Sequence, residues 1–254
     1  MGVGTGDGLA QFDGYVFHSY RHSPSVSQSL SNNFIRCITE DDDGNIWPGL
    51  NNGLDILSSS SGSFYSLTST LAASIQQAGI WSSALCFDGI KTMWYLSQKD
   101  LFVIDVQSKN IIRYTESAPT RHGLEGNPKI LFVDLNDQLC VFTANSFYHY
   151  NAESDLFTRR PLNNFTDYSS VKRVYQATNG FVWILTEDNG VFIADVGNGK
   201  MIGHALINVP MSDLSGERNG GILASTTTGT IYLFSNDERL QKNCLTITVK
   251  ENHR

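Results

Sequence analysis

Apolar and polar residues alternate along most of this chain in runs of about five, separated by clusters of Gly, Asn, Asp and Ser. Residues 41–57, DDDGNIWPGLNNGLDIL, set the pattern: an acidic Gly turn, a short run opened by Ile46 and Trp47, a polar Asn51-Asn52 bridge, then a second run from Gly53. A period of two bounded by turn residues predicts strands joined by hairpins. Apolar stripes spaced for a helix are scarce.

The arrangement recurs. The slot held by Trp47 is filled by Trp94, Cys140, Trp183 and Leu223 in later copies and by Gly2 at the start. The spacings are 45, 47, 46, 43 and 40 residues. Nine and twelve residues before each of the five later anchors stand Ile38 and Ile35, Leu85 and Ser82, Leu131 and Pro128, Val174 and Val171, and Leu214 and Met211. Seven or eight residues after it stand Leu9, Leu54, Leu101, Phe147, Val191 and Ile231, each opening another alternating run. A fourth run closes several copies, as in YVFHSY, SFYSL, NIIRYT and LFTRR.

Four short strands per copy, with no helix between copies, leave both faces of a sheet to be covered. Stacking neighbouring copies covers them, and a ring removes the open ends. The predicted fold is therefore an all-β propeller of four-stranded blades, six in number, with five to seven compatible with the repeats. It forms one domain over residues 1–254, read as complete or as a fragment of a longer chain. The Gly turn joins the first two strands of a blade, and the anchor packs on the next blade. The final run LTITVK has two readings: it supplies the missing first strand of the opening blade, or it finishes the last one.

Composition narrows the function. The net charge is −7 and no run of Lys or Arg exists, so no basic face is available to neutralise nucleic-acid phosphates. No apolar run approaches membrane-spanning length, and the first twenty residues lack the pattern of a signal peptide. Cys37, Cys86, Cys140 and Cys244 form no C-x-x-C pair and suit no zinc spacing; they read as small buried hydrophobes, with a disulfide left open.

Residues 5–57 carry a denser signature. Gly8, Leu9, Phe12, Asp13 and Gly14 are followed by Ser29-Leu30-Ser31-Asn32-Asn33, then Ile35, Ile38, Glu40, Asp41, Gly44, Asn45, Ile46, Trp47, Gly49, Asn52, Gly53 and Leu54. This set closely resembles the two-component regulator propeller repeat. Pro48 and Leu50 depart from the family's usual residues, and a proline there removes a ladder N–H. Copies from Trp94 onward keep the spacing but little of the signature. The resemblance implies the periplasmic sensory portion of a hybrid two-component regulator, responsive to oligosaccharides and joined to other sensor-kinase domains, with a homodimer as one arrangement.

No catalytic constellation emerges. The six His occupy no common repeat position and form no H-E-x-x-H motif. GVGTGDG has the glycines of a phosphate loop without the following helix, and residues 40–43 lack calcium-loop spacing. No metal and no cofactor is expected. A ligand would sit at the axial mouth formed by the longer loops between blades, with an aromatic plane and hydroxyl-bonding polar groups. Asn33, Arg36, Trp81, Arg121, His122, Asn127 and Tyr168 fall there by position. The expectation is a non-enzymatic, oligosaccharide-responsive sensor module in the periplasm. The alternatives are a protein-interaction scaffold or propeller fragment, and a propeller lyase or hydrolase.

Overall fold

The computed structural model describes residues 2–75, 82–98, 100–113, 121–206, 208–216, 221–234 and 244–248. The fold is a six-bladed β-propeller built of antiparallel meanders. Blade one holds β1 (Gly2–Thr5), β2 (Gly8–Phe12) and β3 (Phe17–Tyr20). Blade two holds β4 (Ile35–Glu40), β5 (Ile46–Leu50), β6 (Gly53–Leu57) and β7 (Phe64–Ser66), and is followed by the one α-helix among the described residues, α1 (Thr68–Ile75). Blade three holds β8 (Ser82–Phe87), β9 (Thr92–Ser97), β10 (Asp100–Asp105) and β11 (Ile111–Arg113). Blade four holds β12 (Pro128–Val133), β13 (Leu139–Thr143), β14 (Phe147–Asn151) and β15 (Leu156–Arg159). Blade five holds β16 (Val171–Gln176), β17 (Val182–Thr186), β18 (Val191–Asp195) and β19 (Lys200–Ala205). Blade six holds β20 (Met211–Gly216), β21 (Ile222–Thr226), β22 (Thr230–Phe234) and β23 (Cys244–Thr248).

The chain divides into two compact units. One is Met1–His122 with Asn127–Val133; the other is Gly123–Gly126 with Asp134–Arg254. Each has its own core.

Five anchors lie in the second strand of a four-stranded blade, as the repeat predicts: Trp47 in β5, Trp94 in β9, Cys140 in β13, Trp183 in β17 and Leu223 in β21; Gly2 lies in β1, the first strand of three-stranded blade one. In the first unit Trp47 is fully buried in a cluster with Met93, Tyr95, Phe102 and Ile104 of blade three. In the second, Trp183 packs with Met211, Ile222, Ala224 and Phe234 of blade six, its ring centre 5.1 Å from that of Phe234. A tryptophan removes about 150–250 Å² from water. At about 25 cal/mol per Å², each contact is worth on the order of 5 kcal/mol before ordering entropy is subtracted. The anchor therefore holds blade to blade.

The final run finishes the last blade: β23 pairs antiparallel with β22, from Thr230 opposite Thr248 to Phe234 opposite Cys244. Blade one accordingly has three strands, in the order β1-β2-β3. At Pro48 the ladder is interrupted as expected. β5 and β6 pair at Ile46, Gly49 and Leu50 but not at Trp47 or Pro48, where proline has no N–H to donate. Cys37, Cys86 and Cys140 are not joined in disulfides.

Three of the turns before the anchors share one device. Asp41, Asp88 and Asp134 each stand six residues ahead of an anchor. Asp41 Oδ1 accepts the N–H groups of Asp43 and Asn45 at 3.1 and 2.9 Å. Asp88 Oδ1 accepts those of Ile90, Lys91 and Thr92 at 2.9, 2.9 and 2.8 Å. Asp134 Oδ1 accepts those of Asn136 and Gln138, both at 2.9 Å. A short carboxylate taking up local backbone donors makes a turn without help from the rest of the fold.

Candidate functional site

The inner strands begin with an irregularity that recurs. Where the first strand of a blade meets the second, the register slips by one residue: between Ile35 and Cys37, Ser82 and Ala84, Val171 and Arg173, and Met211 and Asp213. The residue left out of each pairing is Arg36, Ser83, Lys172 or Ser212. All four stand eleven positions before their anchors, as does Lys129 in β12. A bulge turns its extra side chain out of the sheet. Ile35, Ser82, Val171 and Met211, one residue earlier, are buried, whereas Arg36, Ser83, Lys129 and Ser212 are exposed and Lys172 is half-buried.

In the first unit this position is the centre of a polar and aromatic patch. Arg36 donates from Nε and Nη2 to Asn51 Oδ1 at 2.9 and 2.6 Å. Its guanidinium carbon lies 5.5 Å from the ring centre of Phe34, which is 48% exposed. The Asn51 N–H donates to the Phe34 carbonyl at 3.0 Å, joining the turn between β5 and β6 to the residue that precedes β4. The second unit repeats the design. Lys172 Nζ lies 3.6 Å from Glu187 Oε1, and the Glu187 N–H donates to the Ser170 carbonyl at 2.9 Å. In blade six the Thr227 N–H donates to the Pro210 carbonyl at 3.1 Å.

The loop leading into Arg36 is held from within. Asn33 Oδ1 accepts the His22 N–H at 2.6 Å, and its carbonyl accepts the Gly8 N–H at 2.8 Å. Asn32 Oδ1 accepts the Phe34 N–H at 2.8 Å. Ser31 donates its N–H and its hydroxyl to the buried Asp55 carboxylate at 2.7 and 2.8 Å. Burial pushes the Asp55 carboxyl above its usual range, against the opposing pull of hydrogen bonds from Ser31 and Ser66. The Ser-Leu-Ser-Asn-Asn run thus acts as a brace that fixes Phe34 and Arg36 in place.

Asn33 and Arg36 are brought together at this end of blade two, Asn33 as a loop brace and Arg36 as the outward group. Arg121 and His122 form a short 3-10 turn with Gly123, His122 at a φ of 66°, and Asn127 is exposed just before β12. Trp81 lies outside the described residues. Tyr168 is buried at 6% exposure; its hydroxyl accepts the Leu162 N–H at 2.8 Å and its ring packs between Phe142 and Phe165. That burial pushes its phenol up. At this end of blade two the aromatic presented to solvent is Phe34, which sequence reasoning missed together with Asn51. Both lie within the clearest copy of the repeat, Phe34 directly after the Ser-Leu-Ser-Asn-Asn run and Asn51 in the Asn51-Asn52 bridge.

Residues 29–47 match the family model described as two component regulator propeller. No curated protein matches the chain. Among solved structures, the chain is similar to two extracellular domains described as belonging to hybrid two-component systems of B. thetaiotaomicron. For BT3049 the TM-score is 0.71 at 19% identity, over 93% of this chain and 32% of that one. For BT4673 the TM-score is 0.73 at 20% identity, over 99% and 32%. It is also similar to virginiamycin B lyase from Staphylococcus aureus, with a TM-score of 0.63 at 11% identity over 96% and 78%. The chain thus spans about a third of the length of the two-component structures. Among the described residues no helix is long and apolar enough to cross a membrane. The chain is a six-bladed β-propeller in which residues 29–47 match the two component regulator propeller model, and its fold is similar to that of extracellular domains described as belonging to hybrid two-component systems.

Proposed function

We propose that this chain is a non-enzymatic, extracytoplasmic sensing module of a two-component receptor, reading an oligosaccharide at the loop end of its blades. The observation that carries the reading is the repeated bulge, which turns Arg36, Ser83, Lys172 and Ser212 out of the inner strands. Phe34 offers a ring face for sugar C–H groups, and Arg36 and Asn51 offer polar atoms suited to hydroxyls. The braced loop limits the ordering entropy of binding. Bound ligand would act by biasing blade packing or dimer geometry, relayed through further sensor-kinase domains in the periplasmic receptor. The likeness to two-component ectodomains supports the role, and the site chemistry supports the ligand class.

The test is a thermal-shift and calorimetric screen of the purified chain against oligosaccharide classes. A ligand bound only by the folded state raises the melting temperature. We expect one class to do so, and Phe34→Ala and Arg36→Ala each to weaken it at least tenfold without lowering the unliganded melting temperature by more than a few degrees. A cooperative melt that no glycan moves would favour the scaffold reading. Turnover of a glycan would favour the lyase or hydrolase reading.

A further inference from the structure

The anchor of blade four breaks the repeat in two places at once. Cys140 stands where Trp47, Trp94 and Trp183 stand in their blades. The residue facing it across the ladder on β14 is His149, whereas the corresponding partners are Val103 for Trp94, Ile193 for Trp183 and Leu233 for Leu223. Extending the register set by Ile46 opposite Leu57 and Gly49 opposite Leu54 puts Ile56 across from Trp47, where the ladder itself is interrupted. One apolar pair has become a thiol and an imidazole, and the turn carboxylate six residues ahead, Asp134, has been kept.

Blade two shows what that carboxylate does elsewhere. Asp41 Oδ2 accepts the buried indole N–H of Trp47 at 2.8 Å. In blade four no indole is present. Asp134 Oδ1 still takes its two turn N–H groups, while the carboxylate faces sulfur and imidazole instead. One ligand atom each from Asp134, Cys140 and His149 lies within 4.8 Å of the others. Asp134 and Cys140 are buried, and the Nε2 atom of His149 is buried without a hydrogen-bond partner. The ring of Phe147 meets that of His149 edge-on at 4.9 Å, walling one side.

We propose that Asp134, Cys140 and His149 form a binding site for a borderline-soft divalent cation, zinc(II) above all. The set holds one oxygen, one sulfur and one nitrogen donor, the mixture zinc accepts, and it leaves a fourth position open. Tetrahedral zinc bonds of about 2.0–2.3 Å place ligand atoms about 3.3–3.8 Å apart, so rotation of short side chains closes the site. The metal would replace the indole as the link between the turn carboxylate and the strands behind it. This rests on a different observation from the ligand reading above and stands or falls apart from it.

Cobalt(II) titration of the reduced full-length chain tests it, because thiolate ligation gives a near-ultraviolet charge-transfer band and tetrahedral geometry gives strong visible bands. The expected result is one equivalent bound with both features, displacement by zinc(II), and a zinc-dependent rise in melting temperature. Cys140→Ser should abolish the charge-transfer band, and His149→Leu should weaken binding at least tenfold. A double variant, Cys140→Trp with His149→Ile, rebuilds the Asp41–Trp47–Ile56 arrangement and should fold without responding to either metal. A folded wild type with no charge-transfer band would overturn the proposal. So would a band that survives Cys140→Ser, since another cysteine would then hold the metal.

Discussion

The indole N–H of Trp47 donates to the carboxylate of Asp41 at 2.8 Å, both groups buried, and in blade five the same turn has lost its acceptor. Ala177 holds the position of Asp41, six residues before Trp183. The backbone turn survives: Ala177 N–H to the Phe181 carbonyl at 2.9 Å, and Gly180 N–H to the Ala177 carbonyl at 2.8 Å. The indole nitrogen of Trp183 is buried with no partner. Repair and damage are therefore both testable. Ala177→Asp should stabilise the fold by about 1 kcal/mol, the net worth of a recovered hydrogen bond. Asp41→Ala should cost about 2–4 kcal/mol by orphaning the indole and turn donors. Urea denaturation of the two variants reads both, and equal midpoints would remove the pairing from the account.

Gly53 opens β6 at a φ of 154°, and a Cβ there would stand 2.2 Å from the Thr68 hydroxyl at the start of α1. Both the backbone and the space exclude a side chain. Gly53→Ala should lower stability by about 1–3 kcal/mol. Paired with Thr68→Gly it should recover part of that, leaving the backbone share. A double-mutant cycle in urea separates the two.

Asp55 supplies the pH dependence. Its folded carboxyl titrates above the unfolded value of 3.8 because burial disfavours the charge. Such a group contributes stability that is full below the unfolded value and is lost as pH rises through the folded one. Asp55→Asn, which mimics the protonated acid, should match wild type at pH 3.5 and gain on it progressively toward neutrality. Melting temperatures across pH 3.5–7 check the sign. A variant that loses ground as pH rises would reverse the assignment and make the Ser31 hydrogen bonds dominant.

Cys86 is a different kind of buried group. Desolvation pushes its thiol up to about 11, so little thiolate exists at pH 8. Alkylation at that pH should leave Cys86 unmodified in the folded chain and label it fully in denaturant. Peptide mapping by mass spectrometry distinguishes it from the other three cysteines. Rapid labelling without denaturant would show that the blade opens locally.

The blade frame was legible because an anchor at near-constant spacing reports the contact between stacked sheets, which the whole fold enforces. The bulges were not. They shift one inner-strand residue such as Arg36 without altering the apolar positions around it, so no period records them. Tyr168 misled for the opposite reason: its place in a long loop implied exposure, yet a hydroxyl that accepts the Leu162 N–H lets the ring fold inward. Cysteine spacing rules look for neighbours in sequence. Cys140 meets Asp134 and His149 through a turn and a hairpin, six and nine residues away, and only the ladder brings them together.

β23 completes blade six instead of crossing to blade one. No blade among the described residues borrows a strand from a distant part of the chain, so each sheet closes on residues emerging consecutively from the ribosome. Contacts that local form early, and synthesis from the N-terminus would let one blade template the next. A duplication or loss of one copy of about 45 residues would leave the remaining meanders with their own hydrogen bonds intact. Drift in the later copies is then tolerable, because a weakened blade burdens only the blades it packs against.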